Sequence, residues 1–551
     1  MMFSRFYRPK TRLLPEPGDS LRVPVLALLM FAPIVVGLVG IAMGQSVMWD
    51  LRNYHWYNAY ALLSGRYARG IDFAPSQLQF FHNPLIDVPF YWLATHARTR
   101  AAFFVLGCMQ GLNFSLLFML GHAALKIANQ LKKVIICAAL AALGMAGGMG
   151  ISEFGVPFYD NIVSLGVLGS ALIVVAHLEG MTAAPWRTAA MIALIAGVPV
   201  GLATGLKMTS AVFCVGLCGG LPLSMRLNER GLLLGFFFGL GILAGAAATY
   251  GYWGVYLYSH FDSPMFPYFN RIFHSPYVAP GYIEDFSAPR GLLAPLLYPF
   301  LFTIKPTLVN EIPFRDFRIP ILYVLMIALG VRHLLPGMKK PAVDPVTDYL
   351  LCAASLGYLV WISVEAFYRY LLPLEMLAPL LIVICAMRLP VSPRLQAATA
   401  MGLFLAVVFS IKPAQWERRH EWSEKIAQVE RPALPDDGQT MILMAGNDGY
   451  AYMIPEFPPS VSFVRMESRA FQLDAGWGVN DLVRARIDAH KGPLKLLIPA
   501  RGLKDAQDRP LKFFGLKTVA GSCKDVTDDI PENDTDPLYP KFYKLCDVVH
   551  K

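Results

Sequence analysis

Long runs of apolar residues, separated by short polar connections, fill about the first three quarters of the chain. Eleven of these runs contain about 17 to 22 residues, close to the length that a helix needs to cross the roughly 30 Å hydrocarbon core of a bilayer. They cover residues 23–44, 101–122, 134–150, 161–178, 188–205, 208–225, 231–251, 318–334, 347–364, 371–387 and 395–411. The pattern predicts an α-helical polytopic membrane protein with about eleven transmembrane helices.

Two further apolar segments are too short or too interrupted to count as spans. Residues 84–97 include Asp87, and residues 291–304 include Pro295 and Pro299. A proline inside a helix removes a backbone hydrogen bond and bends the helix. We expect the first segment to form an interfacial helix in the loop after the first span. The second is expected to form a bent interfacial or re-entrant piece.

The residues from 412 onward follow a different pattern. Short apolar runs at 441–445, 461–465 and 494–498 alternate with helix-like segments such as 480–490. Strands that alternate with helices in this way are typical of α/β folds. The pattern predicts a small C-terminal α/β domain.

Charge then suggests how the chain is oriented. The sequence has 55% hydrophobic and 16% charged residues, with a net charge of +9. The cationic residues concentrate in connections that face the cytoplasm if the N-terminus does, whereas the outer connections at 151–160, 206–207 and 365–370 contain only Lys207 and Arg369. This asymmetry follows the positive-inside rule, so we expect membrane orientation, and no nucleic-acid partner, to explain the positive charge.

With eleven spans, the two ends of the chain lie on opposite sides of the membrane. Residues 1–22 are then a cytoplasmic N-terminal arm, residues 23–411 a transmembrane catalytic domain with an outer loop at 45–100, and residues 412–551 a soluble domain on the outer side. Cys523 and Cys546 are the two cysteines of this last segment, and the other six lie in apolar runs. An even pair outside the membrane favours a disulfide in an oxidising compartment.

Ionisable side chains also collect on the predicted outer side. They include Asp50, Arg52, His55, His82, Glu153, Asp160, Lys207, Glu365 and Arg369. Charge at a membrane surface or within it commonly marks a functional site. The sequence has neither a Walker loop nor a Rossmann fingerprint, and cytosolic nucleotides do not reach an outward-facing site. An energised substrate is therefore expected to arrive in the lipid phase.

Five motifs, in order along about 400 residues, resemble those of the polytopic glycosyltransferases of the GT-C superfamily. They are the stretch from Asp50 to Arg66, His82 to Leu85 (HNPL), Gly201 to Lys207 (GLATGLK), Ser263 to Asn270 (SPMFPYFN) and Arg369 to Pro373 (RYLLP). The resemblance implies many helices, interfacial helices in the first outer loop, and location in a bacterial inner membrane with a periplasmic C-terminal domain.

The resemblance also implies an activity. A hexosyl or pentosyl group would move, with inversion, from a polyprenyl-phosphate donor to an acceptor hydroxyl on a glycan, a lipid or a protein. Asp50, the first carboxylate after the membrane, is the expected general base. Arg369, Lys207 and Arg52 are the expected partners of the donor phosphate, since cations stabilise the charge that develops on a leaving phosphate.

The remaining candidates for substrate contact are His55, His82, Asn83, Glu153, Asp160, Asn270, Glu365 and Tyr370. Structural roles stay open beside these functional ones. Asp50 can act as a helix N-cap, Lys207 can mark a turn between two spans, and Arg369 can be an interfacial residue of an aromatic belt. The two histidines can be hydrogen-bonded packing residues.

A metal and two other functions remain open at this point. Asp50, Glu153 and Asp160 offer oxygen ligands of the kind that Mg²⁺ or Mn²⁺ prefers, although a sugar contact or a helix cap explains Asp160 equally well. A ligase that moves a whole lipid-linked glycan would share the predicted geometry. A transporter or flippase is less favoured, because the chain shows no internal repeat and its charges collect at one surface.

Overall fold

A computed structural model describes residues 11–280, 289, 291, 293–335, 343–435, 438–468, 472–500, 503–528 and 542–551. Residues 1–10 of the predicted N-terminal arm therefore lie outside the described part. The α-helices of the described residues are α1 (Arg22–Ala42), α2 (Trp56–Leu63), α3 (Val88–His96), α4 (Thr99–Ala124), α5 (Gln130–Met145), α6 (Asp160–Ala183), α7 (Trp186–Leu206), α8 (Ala211–Ser224), α9 (Glu229–Phe261), α10 (Asn270–Phe273), α11 (Leu293–Ile304), α12 (Arg318–Leu334), α13 (Pro345–Val364), α14 (Leu372–Met387), α15 (Pro393–Ser410), α16 (Gly478–Ala489) and α17 (Leu503–Phe513).

Eight helices among the described residues are long and apolar enough to cross a membrane. They are α1, α4, α6, α7, α9, α13, the segment Tyr368–Met387 that ends with α14, and α15. The other three predicted spans coincide with the shorter helices α5, α8 and α12. The prediction of many apolar helices that could cross a membrane is therefore confirmed, and the count of eleven spans stays a prediction.

The two ambiguous apolar segments form short helices. Residues 84–97 contain a turn of 3₁₀ helix, Pro84–Ile86, and the nine-residue helix α3. The other segment forms α11, which has twelve residues and contains Pro299. At 1.5 Å per residue neither helix is long enough to cross the hydrocarbon core as a single span.

Close contacts between membrane helices depend on small residues. Gly197, Gly201 and Gly205 are spaced four residues apart on one face of α7, against α9. A Cβ atom added at Gly201 would lie 2.3 Å from the carbonyl oxygen of Ile242. Small residues at this spacing allow membrane helices to pack closely. Helix packing therefore explains the glycines of the GLATGLK motif, and Lys207 follows directly after the helix.

The C-terminal residues contain a seven-stranded mixed sheet. Its strands are β3 (Val429–Glu430), β4 (Met441–Ala445), β5 (Ser462–Glu467), β6 (Leu494–Pro499), β7 (Leu516–Thr518), β8 (Lys524–Asp528) and β9 (Phe542–His550), while β1 (Gln45–Ser46) and β2 (Arg418–Arg419) form a separate pair. The strand order is β3-β8-β9-β6-β4-β5, and β7 also pairs with β9. Strand β4 runs parallel to β5 and β6, whereas β9 is antiparallel to β6, β7 and β8. The three predicted strands and the predicted helix are present, as β4, β5, β6 and α16.

The chain divides into two compact units. The first comprises Met1–Ala42, Phe104–Gly251 and Asp285–Trp416, and the second comprises Met43–Phe103, Tyr252–Glu284 and Glu417–Lys551. The second unit thus joins the loop after α1 to the C-terminal sheet. Arg66 carries much of this connection, because it forms an ion pair with Asp72 and donates hydrogen bonds to the carbonyl oxygens of Pro459 and Val461.

Candidate functional site

A cluster of charged side chains lies within the first unit, at the ends of apolar helices. It contains Glu153, Asp160, Lys207, Glu365 and Arg369. These residues come from three separate parts of the chain, and all were candidates from the sequence. The two cations expected to act on one phosphate share a neighbour, since the Lys207 ammonium donates to the Phe158 carbonyl oxygen over 2.8 Å and the Arg369 guanidinium lies 4.0 Å from the centre of the Phe158 ring.

Lys207 is held by the carboxylate at the start of α6. Its Nζ atom lies 2.7 Å from Oδ1 of Asp160, which is 2% exposed, whereas the Lys207 side chain is 17% exposed. Asp160 is the first residue of α6, and Tyr159 before it has a left-handed backbone conformation, with φ of 66°. Lys207 is therefore more than a marker of the turn between α7 and α8.

Arg369 is surrounded by aromatic rings. Its guanidinium carbon lies 4.0 Å from the ring centre of Phe158, 5.2 Å from that of Phe367 and 5.4 Å from that of Trp416. The indole nitrogen of Trp416 donates to Ser152, which fixes this ring in place. Stacking against aromatic rings orients a guanidinium and leaves its charge intact. Arg369 is also buried, with 7% of its surface exposed.

Glu153 is the most buried carboxylate of the cluster. Its side chain has no exposed surface, and neither of its carboxylate oxygens has a hydrogen-bond partner among the described residues. Burial raises the pKa of Glu153 well above its usual value, and the negative charge of Asp160 raises it further, against the opposing effects of Arg369 and Lys207. Glu153 is therefore neutral over a wider range of pH than an ordinary glutamate.

Glu365 and Tyr370 complete the cluster at its more exposed side. Glu365 follows the last residue of α13, and burial raises its pKa to about 7, with Lys207 lowering and Asp160 raising the value. The ring centre of Tyr370 lies 5.5 Å from the Lys207 ammonium. Both side chains are half-buried, and thus more accessible than Glu153.

Polar residues that the sequence analysis missed hold the loop that carries Glu153. Gln110 on α4 donates to the carbonyl oxygens of Glu153 and Val156 and accepts from the backbone amide of Gly155. On the other side of the loop, the Glu375 carboxylate accepts from the amide of Gly150 over 2.9 Å. The sequence did contain a signal for Glu375, because it is a carboxylate inside a predicted span. A carboxylate in such a position usually has a partner.

The partner of Glu375 is a second buried network. Arg318 donates to the Glu375 backbone carbonyl and forms an ion pair with Asp316, whose other oxygen accepts from the amide of Gly148. All three charged side chains are fully buried or nearly so. This network supports the position of the loop and therefore of Glu153.

Asp50 belongs to the second unit, at the start of the irregular helical turn Leu51–His55. It is half-buried, and its side chain makes no capping hydrogen bond to this turn, so the capping role expected as an alternative is not observed. The Tyr54 hydroxyl donates to Oδ2 of Asp50 over 3.4 Å. A half-buried carboxylate is still partly accessible, as a general base that meets an acceptor hydroxyl must be.

Two predicted motifs meet beside Asp50. The ring nitrogen Nε2 of His82 lies 2.8 Å from the hydroxyl of Tyr268, which belongs to the SPMFPYFN motif. The His82 ring also packs edge to face on Tyr54, with the ring centres 5.6 Å apart. Asp50, Tyr54, His82 and Tyr268 therefore form one continuous group of polar side chains within the second unit.

Three other candidates of this unit are engaged in structural contacts. Nδ1 of His55 lies 2.6 Å from the buried carboxylate of Asp87. Asn83 accepts from the Tyr252 hydroxyl and from the backbone amide of Leu85. The side chain of Asn270 donates to the carbonyl oxygens of Ser275 and Val278, which uses both of its amide hydrogens to close a loop.

Arg52 lies on the side of the C-terminal sheet. It is buried, and its charge acts on Tyr452 and Tyr543, two residues of the C-terminal segment. The Tyr452 hydroxyl donates to the buried carboxylate of Asp528. Arg52 therefore has an environment unlike that of Lys207 and Arg369, and the predicted role in binding phosphate does not follow from its position.

The proposed ligands do not fit a divalent cation. Asp160 already binds the ammonium of Lys207, and Arg369 and Lys207 both act on Glu153, so positive charge is present where the metal would lie. Within the described ranges no group of three or more His, Cys, Asp or Glu side chains is arranged to hold a metal ion.

The structure joins Cys523 and Cys546 in a disulfide. Cys523 precedes β8 directly, and the antiparallel pairing of Lys524 with Leu545 brings Cys546 on β9 opposite to it. The Cα atoms are 4.0 Å apart. This is the cysteine pair that the sequence singles out.

Fold and site together describe an α-helical membrane protein with a charged cluster at its helix ends and a small C-terminal sheet. A scan against protein-family models, a search of curated proteins and a search of solved structures returned no match to this chain. The function is therefore argued from the residues themselves.

Proposed function

We propose that this protein is a membrane glycosyltransferase that moves a sugar from a polyprenyl-phosphate donor to an acceptor hydroxyl. The observation that carries the proposal is the pairing of Lys207 and Arg369 around Phe158, at the ends of apolar helices. A lipid phosphate brings its charge to the membrane surface, where two oriented cations stabilise it. The motifs that resemble those of GT-C enzymes, two of which contain Lys207 and Arg369, also support the proposal.

In the proposed reaction, the acceptor oxygen forms a bond to the anomeric carbon while the bond from that carbon to the phosphate oxygen breaks. Asp50 takes the proton of the acceptor hydroxyl, and the polyprenyl phosphate leaves with the bonding electron pair. Lys207 and Arg369 stabilise the negative charge that develops on the phosphate, which is where fixed cations contribute most to rate. We do not assign Arg52 to this step.

The transfer itself is tested with purified protein in lipid nanodiscs, supplied with radiolabelled polyprenyl-phosphate sugars and a membrane extract as the source of acceptor. We expect label to move from the lipid phosphate into a glycan, lipid or protein fraction. Heat-inactivated protein is the control. Movement of intact donor across a sealed vesicle membrane, without transfer, would contradict the enzyme and support a flippase.

The proposal also places the reaction on the outer face of a bacterial inner membrane, with the C-terminal domain in the periplasm. The disulfide and the asymmetric distribution of cationic residues support this orientation. A reporter enzyme that is active only outside the cytoplasm, fused after His550, is therefore expected to be active. An expressed but inactive fusion, beside an active fusion of a cytoplasmic reporter at the same site, would contradict the orientation.

A further inference from the structure

Carboxylates outnumber cations in the charged cluster of the first unit. Three carboxyl groups, from Glu153, Asp160 and Glu365, accompany the two cations Lys207 and Arg369. If every carboxyl group were ionised, the cluster would carry a net negative charge and would repel a phosphate. A phosphate site at this place therefore requires that protons neutralise part of the carboxyl charge.

The contact between Lys207 and Asp160 is a further reason why protons must neutralise part of the carboxyl charge. The Asp160 carboxylate and the Phe158 carbonyl oxygen take two of the three N–H groups of the Lys207 ammonium, so a phosphate oxygen that binds the third shares this cation with Asp160. Asp160 is 2% exposed, and its second oxygen, Oδ2, has no hydrogen-bond partner among the described residues. A second negative charge beside a buried carboxylate is costly, and a bound proton removes this cost.

Glu153 provides the second half of a carboxyl pair. Its two oxygens are fully buried, neither has a hydrogen-bond partner in the described part of the chain, and the charge of Asp160 acts on it directly. Buried polar groups without partners are uncommon in proteins and often serve a function. Two neighbouring buried carboxyl groups share protons, because both cannot ionise at low cost.

We propose that the binding of a lipid phosphate to this cluster is coupled to the uptake of one proton by the carboxyl pair of Asp160 and Glu153. The inference rests on the proposed function for the identity of the ligand. The phosphate oxygens share the ammonium of Lys207 with Asp160, the carboxyl pair of Asp160 and Glu153 binds one proton from solvent, and the proton leaves when the phosphate leaves. No covalent bond other than that to the proton changes.

Other charged groups also act on this pair of carboxyl groups and on Glu365. Lys207, Arg369 and Glu375 act on Glu153, and Lys207 and Asp160 act on Glu365. The two cations lower the pKa of Glu153 and so favour its ionisation before a phosphate binds. Once their charge is matched by a phosphate, that effect is lost, and proton uptake follows.

The test uses the full-length protein in nanodiscs and geranylgeranyl phosphate as the probe. Calorimetric titrations between pH 7.5 and 8.5, in buffers that differ in ionisation enthalpy, count the protons that accompany binding. The window lies above the second pKa of a phosphate monoester, about 6, so the charge of the ligand stays nearly constant. Titration of empty nanodiscs gives the blank for partition into lipid.

For the wild type we expect uptake of about one proton per bound phosphate and a Kd that rises about tenfold per pH unit, as linkage of a single proton requires. The double variant Asp160→Asn with Glu153→Gln is expected to take up almost no proton and to bind more tightly than the wild type at pH 8.5. Glu179→Gln, an exposed glutamate near the other end of α6, is the matched control and should behave as the wild type.

Binding without proton uptake by the wild type, unchanged uptake by the double variant, or no binding at all would overturn the inference. If thermal unfolding shows that the double variant does not fold, the single variant Glu153→Gln is measured instead. Its proton uptake should fall by at least about half, and unchanged uptake would contradict the role of the carboxyl pair. An inorganic phosphate arm identifies the ligand source, since equal affinity for free phosphate would contradict a lipid-phosphate site. Sugar transfer is measured separately. The proposed transferase activity can therefore be contradicted while proton-coupled binding is confirmed, and proton-coupled binding can be contradicted while transfer is confirmed.

Discussion

Replacing Asp50 by Asn is expected to lower sugar transfer by at least about 100-fold, because an amide cannot accept the proton of the acceptor hydroxyl. The substitution preserves the size of the side chain, and Asp50 makes no capping hydrogen bond whose loss would unfold the adjacent turn. Stability should therefore change by less than about 1 kcal/mol. Initial rates with radiolabelled donor, together with thermal unfolding of the same preparations, measure both quantities.

Asp262→Asn is the matched control for this experiment. Asp262 belongs to the same unit, it is exposed, and its backbone φ of 54° suits Asn as well as Asp. We expect transfer by this variant to stay within about twofold of the wild type, as for most surface substitutions. Full transfer by Asp50→Asn would remove the assignment of Asp50 as base, even if every other part of the proposal held.

The outlines of the fold followed from the sequence because they depend on local patterns. Apolar runs of sufficient length predicted the membrane helices, and short apolar runs between turns predicted β4, β5 and β6. The number of spans is harder to predict. The helices α5, α8 and α12 are short, and their length alone does not show whether they cross the membrane. Helix packing decides such cases, and it depends on contacts such as those of Gly201 with Ile242, which lie far apart in the chain.

The segment from Asp50 to Arg66 shows that a functional site cannot be predicted from neighbouring residues in the sequence alone. The sequence from Asp50 to Arg66 suggested one catalytic edge, because its charges are close together and follow a span. In the structure these charges point to different partners: His55 contacts Asp87, and Arg66 contacts Asp72. Asp50 is half-buried and accepts a hydrogen bond from the Tyr54 hydroxyl, so the chemistry assigned to the stretch narrows to this residue.

The charged cluster of the first unit was partly predictable. Lys207 and Arg369 stood out because they are the only cations in the three short outer connections predicted at 151–160, 206–207 and 365–370. The rings of Phe158 and Trp416 around Arg369 and the support of the Glu153 loop by Gln110 had no such signal. Aromatic residues and glutamines are common in membrane proteins, and only the fold shows which of them contact a charge.

Replacing Arg369 by Gln is expected to lower transfer by about 100-fold to 1,000-fold, with little change in the apparent affinity for acceptor. The guanidinium is fixed by three aromatic rings, so it is already oriented when charge develops on the leaving phosphate, and the loss of such a group acts mainly on the transition state. Arg369→Lys keeps the charge but loses the planar fork, and about a tenth of the activity should remain. Initial rates over a range of donor and acceptor concentrations separate these effects.

Arg187 offers a close control within the same unit. It is exposed, and its guanidinium carbon lies 5.4 Å from the ring centre of Trp186, so Arg187→Gln removes an arginine stacked on an aromatic ring without touching the cluster. Its transfer rate should equal that of the wild type within about twofold. Equal losses of transfer activity in Arg369→Gln and Arg187→Gln would show that removing any arginine has this effect, and would contradict a specific role of Arg369. A loss confined to Arg369, and larger for Gln than for Lys, would tie the phosphate chemistry to this aromatic-bound guanidinium.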